Sequence, residues 1–263
     1  MASSIGTSHI ATAVPCQDSH ACALLRDAKG HDVLVLVAAD GAGSAAVADV
    51  GAKLVCQRFI TLVKDLVASG GSVEDIERDR VAHWLARLVE RLSMRAEANG
   101  LGIEDYACTL VAAIVGEGAA AFVQVGDGAI VLSDGAERGW KYVFWPQHGE
   151  FANTTNFITS MNAASVFEFA TTREAFAEIA LLTDGLENLV LRKADKSVHG
   201  PFFDSMFRSV RRSSAVGEDN ALSRDLERYL STPSVVQRTD DDKTLILASR
   251  RQPERATASG AGT

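Results

Sequence analysis

The sequence predicts an α+β fold in which sheet packs on sheet and helices lie outside. Three observations carry this. Residues 40–100 hold two stretches whose apolar residues recur at three- and four-residue spacing. Short apolar runs joined by Gly-containing turns fill residues 106–145 and return at 165–183 and 244–248. No β-α-β alternation occurs, so consecutive strands are expected to pair antiparallel. The chain has 263 residues, 47% hydrophobic and 23% charged. That composition suits a folded chain and excludes a disordered, collagenous or coiled-coil architecture. One domain is expected over residues 1–249, followed by a small, polar, disordered tail over 250–263.

Each element follows from local pattern. Residues 21–26 and 33–39 form a hairpin around a turn that holds Gly30. Val55, Phe59, Leu62 and Leu66 make one buried stripe of a helix that Gly70 and Gly71 end. Ser72 is expected to cap the next helix, with Asp75 at the reciprocal position. Val81, Trp84, Leu85, Leu88 and Leu92 form the apolar face of that helix, and Gly100 is its C-terminal stop. Strands then follow at 106–115, 119–125 and 129–133, separated by "GEG" and "GDG". A turn at Asp134-Gly135 leads to a strand at 141–145, so the run reads as an antiparallel meander. Residues 146–162 are polar without periodicity and read as a long surface loop or flap. Strands resume at 165–170 and 178–183, residues 192–230 read as helices with loops, and 244–248 is a final strand.

Composition removes several functions. Lys and Arg number 26 against 34 Asp and Glu, a net charge of −8, with an isoelectric point near 5.3. No nucleic-acid or anionic-membrane partner is expected, because phosphate binding draws on clustered Lys and Arg. The longest apolar stretches, 33–39 and 108–115, fall far short of the ~20 residues of a membrane span. The N-terminus lacks a basic start followed by an apolar run, so a cytoplasmic chain is expected. Cys16, Cys22, Cys56 and Cys108 form no C-x-x-C and read as small buried hydrophobes. None is followed six residues later by Arg, which excludes the loop of a cysteine phosphatase. The histidines form no H-E-x-x-H, and no G-x-x-x-x-G-K-[ST] occurs, which argues against a zinc hydrolase of that type and a P-loop nucleotidase. The basic stretch 192–212 reads either as a dock for an acidic substrate segment or, more usually, as a solvated helical face.

The acids carry more information. Asp40, Asp127 and Asp184 each follow an apolar strand and each precede Gly. Asp241 and Asp18 immediately precede strands. Carboxylates converging from strand ends repel one another unless a cation sits between them, and an all-oxygen donor set favours Mg²⁺ or Mn²⁺. Each acid alone also has an ordinary explanation. Asp127-Gly128 is a hairpin-turn signal, and Asp40 and Asp184 are possible helix caps.

Taken together, "CQDSH" (16–20), "VAADGAGSA" (37–45), "ACTLVAAIV" (107–115), "VQVGDGAIVL" (123–132), "LLTDGLENL" (181–189) and "DDKTLILA" (241–248) resemble the motifs of the metal-dependent type 2C serine/threonine protein phosphatases. "ADGAGSA" and the flap-like "PQHGEFANTTNFITS" resemble a bacterial branch of that family. The resemblance covers roughly residues 5–249. It implies a four-layer α-β-β-α sandwich of two antiparallel sheets flanked by helices, with two central Mn²⁺ or Mg²⁺ ions and a third, weaker one. By position, Asp40 would bridge both metals and the Gly41 carbonyl would bind the second. Asp184 and Asp241 would hold the first, Asp18 would sit beside the centre, and Asp127 would serve the third ion. A metal-activated water would hydrolyse phosphoserine or phosphothreonine in a protein substrate. A cognate kinase is an implied partner, and a monomer is expected.

Three positions depart from the family pattern. Gln17 stands where Glu is frequent. "GDGA" (126–129) replaces Gly-Asp-Ser-Arg. "SHIATAVPCQD" (8–18) lacks the Arg that binds substrate phosphate in the family, leaving His9 as the nearest substitute or as an ordinary structural His. Two alternatives remain at this point. One is a catalytically weak relative that binds phosphoproteins. The other is a dinucleotide-binding oxidoreductase, because "GAGSAA" (41–46) fits G-x-G-x-x-A between a strand and a helix.

Overall fold

A computed structural model describes residues 1–135, 139–147 and 155–251. In chain order the elements are β1 (Ala2–Ser4), α1 (Thr7–Thr12), β2 (Ser19–Arg26), β3 (Asp32–Ala39), α2 (Ala48–Ala68), α3 (Arg78–Asn99), β4 (Leu110–Val115), β5 (Ala120–Val125), β6 (Ala129–Ser133) and β7 (Trp140–Tyr142). There follow α4 (Ala163–Val166), β8 (Glu168–Thr172), β9 (Glu178–Leu182), α5 (Glu187–Val190), the hairpin β10 (Leu191–Arg192) and β11 (Ser197–Val198), α6 (Gly200–Arg212), α7 (Asn220–Leu230), α8 (Pro233–Val236) and β12 (Lys243–Ser249). One sheet runs β1-β12-β9-β6-β7 and the other β2-β3-β4-β5-β8. Every pairing among the described residues is antiparallel.

Strand alternation builds the layers. On β3, Val33, Val35, Val37 and Ala39 point to one side, where they pack with Val55, Phe59 and Leu62 of α2 and Leu85 and Leu88 of α3. Leu36 and Ala38 point to the other side and meet Val111, Phe122, Ile130, Leu181 and Ile246 between the sheets. Both faces are covered, so the strand is apolar throughout. The opposite sheet is covered by α6 and α7. Helix α6 buries only Phe203 and Phe207, about 1.5–3 kcal/mol each. Trp140 stacks 5.0 Å from both rings, so two aromatic anchors hold that helix.

The four-layer α-β-β-α arrangement expected from the resemblance is therefore observed. Several local expectations change. Ser72 caps a short 3-10 turn over Val73–Asp75, with the reciprocal Asp75 contact present, whereas α3 starts later, behind Glu77. The meander breaks at "GDG". β5 pairs with β4 and β8, while β6 belongs to the other sheet with β7 and β9. The strand expected at 141–145 ends at Tyr142. β1 and α1 carry no periodic pattern in the sequence. Gly100 does close α3, in a left-handed conformation with φ of 68°. Arg250 and Arg251, placed in the tail by the sequence, bond to the backbone carbonyls of Gly116, Ser213 and Ala215. Residues 252–263 lie outside the described residues.

Candidate metal centre

The acids gather because antiparallel pairing brings strand ends of opposite direction together. β2 begins where β3 ends, with Ser19 opposite Ala39. β12 begins where β9 ends, with Leu245 opposite Leu182. Asp18, Asp40, Asp184 and Asp241 flank those four ends. Asp127 lies in the crossing from β5 to β6, beside Ala129, which pairs with Leu182. Asp40, Asp127 and Asp184 each offer a carboxylate oxygen, and these three oxygens lie within 4.8 Å of one another. Asp18 and Asp241 border this group.

The backbone around each acid is fixed. The Asp40 N–H donates to Thr109 Oγ1 at 2.9 Å and its carbonyl accepts the Thr109 N–H at 2.8 Å. Gly41 then pairs with Cys108. α2 starts only at Ala48, so Asp40 is not its cap. Asp184 lies inside a 3-10 turn whose cap position is Thr183, so it is not a cap either. Asp127-Gly128 is not a hairpin turn, since it links different sheets. The glycines serve close approach. A Cβ on Gly185 would lie 1.8 Å from the Asp242 carbonyl oxygen, and one on Gly128 would lie 2.3 Å from Val111 Cγ2. By contrast, Gly135 has φ of +114°, as the turn at Asp134-Gly135 requires.

Burial pushes the Asp40 carboxyl well above the usual range, and the charges of Asp18 and Asp184 add to it. Asp184 is pushed up to about 8, by burial first and then by Asp127 and Asp241. Asp18 rises to about 6 through burial, against the pull of Thr244 and Thr183. Burial also raises Asp241. Among the described residues no Lys or Arg forms an ion pair with Asp40 or Asp184. Asp18 Oδ1 and Asp184 Oδ1 are buried without a donor. Buried, donor-free carboxylate oxygens beside other carboxylates are what a hard divalent cation requires, so the donor set fits Mg²⁺ or Mn²⁺.

Sequence inspection missed the supports. Asp242 is 1% exposed. Its Oδ1 accepts the Gly6 N–H at 2.6 Å, and its Oδ2 accepts the Gln17 N–H at 2.5 Å and has His9 Nδ1 at 3.0 Å. It ties the start of α1 and the approach to Asp18 onto β12. His9, singled out for substrate phosphate, thus has Nδ1 committed to Asp242. Lys243 is fully buried, and its Nζ donates to the Asp241 carbonyl at 2.8 Å. Thr155 Oγ1 donates to Asp127 Oδ2, and Phe157 packs on Ala42, Ala45, Ala48 and Ala107. The expected flap is therefore anchored at residues 155–157 on both the Asp127 and Asp40 loops. Residues 148–154 of that flap lie outside the described residues. Of the basic stretch, Arg211 holds Glu178 through Nη2–Oε2 at 2.8 Å and Lys193 holds Glu187 at 3.3 Å, which commits part of it internally. The free thiols of Cys56 and Cys108 are buried, while Cys16 and Cys22 are only partly so.

The sequence profile of the protein phosphatase 2C family matches residues 5–231. The chain belongs to that family. It is 36% identical over 248 residues to serine/threonine-protein phosphatase 3 of Escherichia coli strain K12, covering 94% of this chain and 96% of that protein. Solved serine/threonine phosphatase structures superpose across most of the chain. The Staphylococcus aureus serine/threonine phosphatase Stp1 has a TM-score of 0.56 at 16% identity, covering 90% of each chain. The catalytic domain of the serine/threonine protein phosphatase PstP, solved with two manganese ions, has a TM-score of 0.56 at 14% identity, covering 89% of this chain and 91% of that one. Family membership and antiparallel pairing exclude the dinucleotide-binding oxidoreductase. "GAGSAA" lies in the loop before α2.

Proposed function

We propose that this chain is a metal-dependent serine/threonine protein phosphatase that removes phosphate from phosphoserine and phosphothreonine in proteins. The observation that carries it is the group of three carboxylate oxygens within 4.8 Å, bordered by the donor-free Asp18 Oδ1. Asp40, the Gly41 carbonyl, Asp184 and Asp241 would hold two Mn²⁺ or Mg²⁺ ions, with Asp18 beside them and Asp127 serving a third. When bound, the cations supply the charge that activates a water and offsets the developing charge on phosphorus. Asp40 would contribute to holding both ions. Asp184 and Asp241 close the centre from the β9 and β12 side. His9 keeps Nε2 for a phosphate oxygen, since Asp242 holds its other ring nitrogen. The retained carboxylates favour a working enzyme over a phosphoprotein binder. No helix among the described residues is long and apolar enough to cross a membrane. We place the protein in the cytoplasm as a monomer, opposite a kinase acting on the same substrate. Hydrolysis of a phosphothreonine peptide with Mn²⁺, abolished by chelator, is the expected result. Tight peptide binding without turnover would instead establish the binder.

A further inference from the structure

Asp18 is held by a hydrogen-bond chain whose direction is determined by its members. Thr183 Oγ1 and Thr244 Oγ1 both donate to Asp18 Oδ2, each at 2.7 Å. Thr183 Oγ1 also accepts the Thr244 backbone N–H at 2.9 Å, so its own hydrogen is left for Asp18. Thr244 spends its hydrogen on Asp18 as well. Ser3 Oγ, 2.6 Å from Thr244 Oγ1, must therefore be the donor to it. The Ser3 oxygen then accepts from His20 Nδ1 at 2.8 Å, which places a proton on that nitrogen. The chain runs His20 to Ser3 to Thr244 to Asp18, with Thr183 converging on the same oxygen.

The fold is arranged for this. Asp18 and His20 are two residues apart at the start of β2 and so share a face. β1 sets Ser3 directly opposite Thr244. Thr183 and Thr244 are 1% and 0% exposed, so their hydroxyls have no water to turn to. The outcome is an asymmetric carboxylate. Oδ2 is occupied by two donors, while Oδ1 is buried with none.

We propose that Thr183 and Thr244, backed by Ser3 and His20, are positioning residues that lock Asp18 so that Oδ1 alone faces the cation centre. This rests on the metal-centre assignment above. A carboxylate with both oxygens free can rotate or chelate through both. Two donors on one oxygen remove those options before any ion arrives. Partners that orient a metal-site ligand typically contribute about 10- to 100-fold in affinity.

The test is Mn²⁺ titration calorimetry on the intact protein and its variants, with Asp184→Asn as a control. Thr244→Val and Thr183→Val keep the side-chain shape and remove the donor. Each is expected to weaken Mn²⁺ binding about 10- to 100-fold, and Thr244→Ser is expected to restore it. Ser3→Ala leaves both contacts to Asp18 in place but removes the donor to Thr244 Oγ1, so the Thr244 hydroxyl loses the contact that fixes its orientation. This variant is expected to weaken binding as well, and it serves if a valine variant does not fold. A purely structural role would lower the melting temperature of the valine variants and leave the isotherm unchanged. Wild-type affinity in Thr244→Val and Thr183→Val, with binding lost in Asp184→Asn, overturns this proposal alone. No Mn²⁺ binding by the wild type overturns the metal-centre assignment itself.

Discussion

Removing the Asp242 carboxylate should unfasten the N-terminal segment from β12. The side chain is 1% exposed and accepts two backbone N–H groups, from Gly6 at 2.6 Å and Gln17 at 2.5 Å, besides facing His9 Nδ1 at 3.0 Å. Asp242→Ala strands both backbone donors in the interior. An unsatisfied buried donor costs about 1–3 kcal/mol, so the pair predicts a loss of about 2–6 kcal/mol. Asp242→Asn keeps one acceptor oxygen but turns an amide N–H₂ toward the other donor, so about half that loss is expected. Loss of the negative charge also relieves its repulsion of Asp18 and Asp241, whose carboxyls it raises. That relief is largest without metal. Urea unfolding with saturating Mn²⁺ should therefore show the greater destabilisation, and unfolding with chelator the smaller. A loss under about 0.5 kcal/mol for Asp242→Ala in both conditions, the range of an ordinary surface substitution, would refute the latch.

Other outcomes follow from the same geometry. The folded pKa values of Asp18, about 6, and Asp184, about 8, lie above the unfolded value near 3.9. The folded state therefore holds more protons between those limits. The melting temperature of chelated protein should fall as pH rises from about 4 to 8, and Mn²⁺ should remove the trend. A melting temperature that rises over that range in chelator would contradict this. Asp127→Ala should keep two bound ions and lose turnover, read as metal stoichiometry and kcat on one preparation. Unchanged kcat would leave Asp127 only as the anchor of Thr155. Cys108→Ser should retain activity at metal saturation, because burial pushes that thiol well up and leaves no thiolate at neutral pH. Complete loss of activity in a folded variant would reveal a thiol role.

The acids were legible because each sits at a strand end, where local pattern is informative. Asp40 after "VLVLVAA" and Asp184 after "IALLT" announce rigid carboxylates whatever the partner strands are. The sheet assignment was not legible at Asp127. A Gly-Asp-Gly crossing between sheets has the same turn chemistry as a hairpin, and only long-range pairing distinguishes them. Thr183 and Thr244 carried no signal, since Thr is an ordinary strand residue. Asp242 was hidden beside Asp241 because both precede β12, where no strand alternation tells their directions apart. One turns to the cluster and the other to Gly6 and Gln17. β1 spans three residues and is a strand only because β12 pairs with it.

The carboxylate end of the sandwich is proposed as a cation centre. Mn²⁺ stoichiometry by calorimetry in the wild type and in Asp184→Asn tests it most directly. Asp184 carries a buried, donor-free oxygen, so replacing it by an amide should weaken or abolish binding at one central position while circular dichroism stays native. Two ions bound with wild-type affinity in a folded Asp184→Asn would contradict the account.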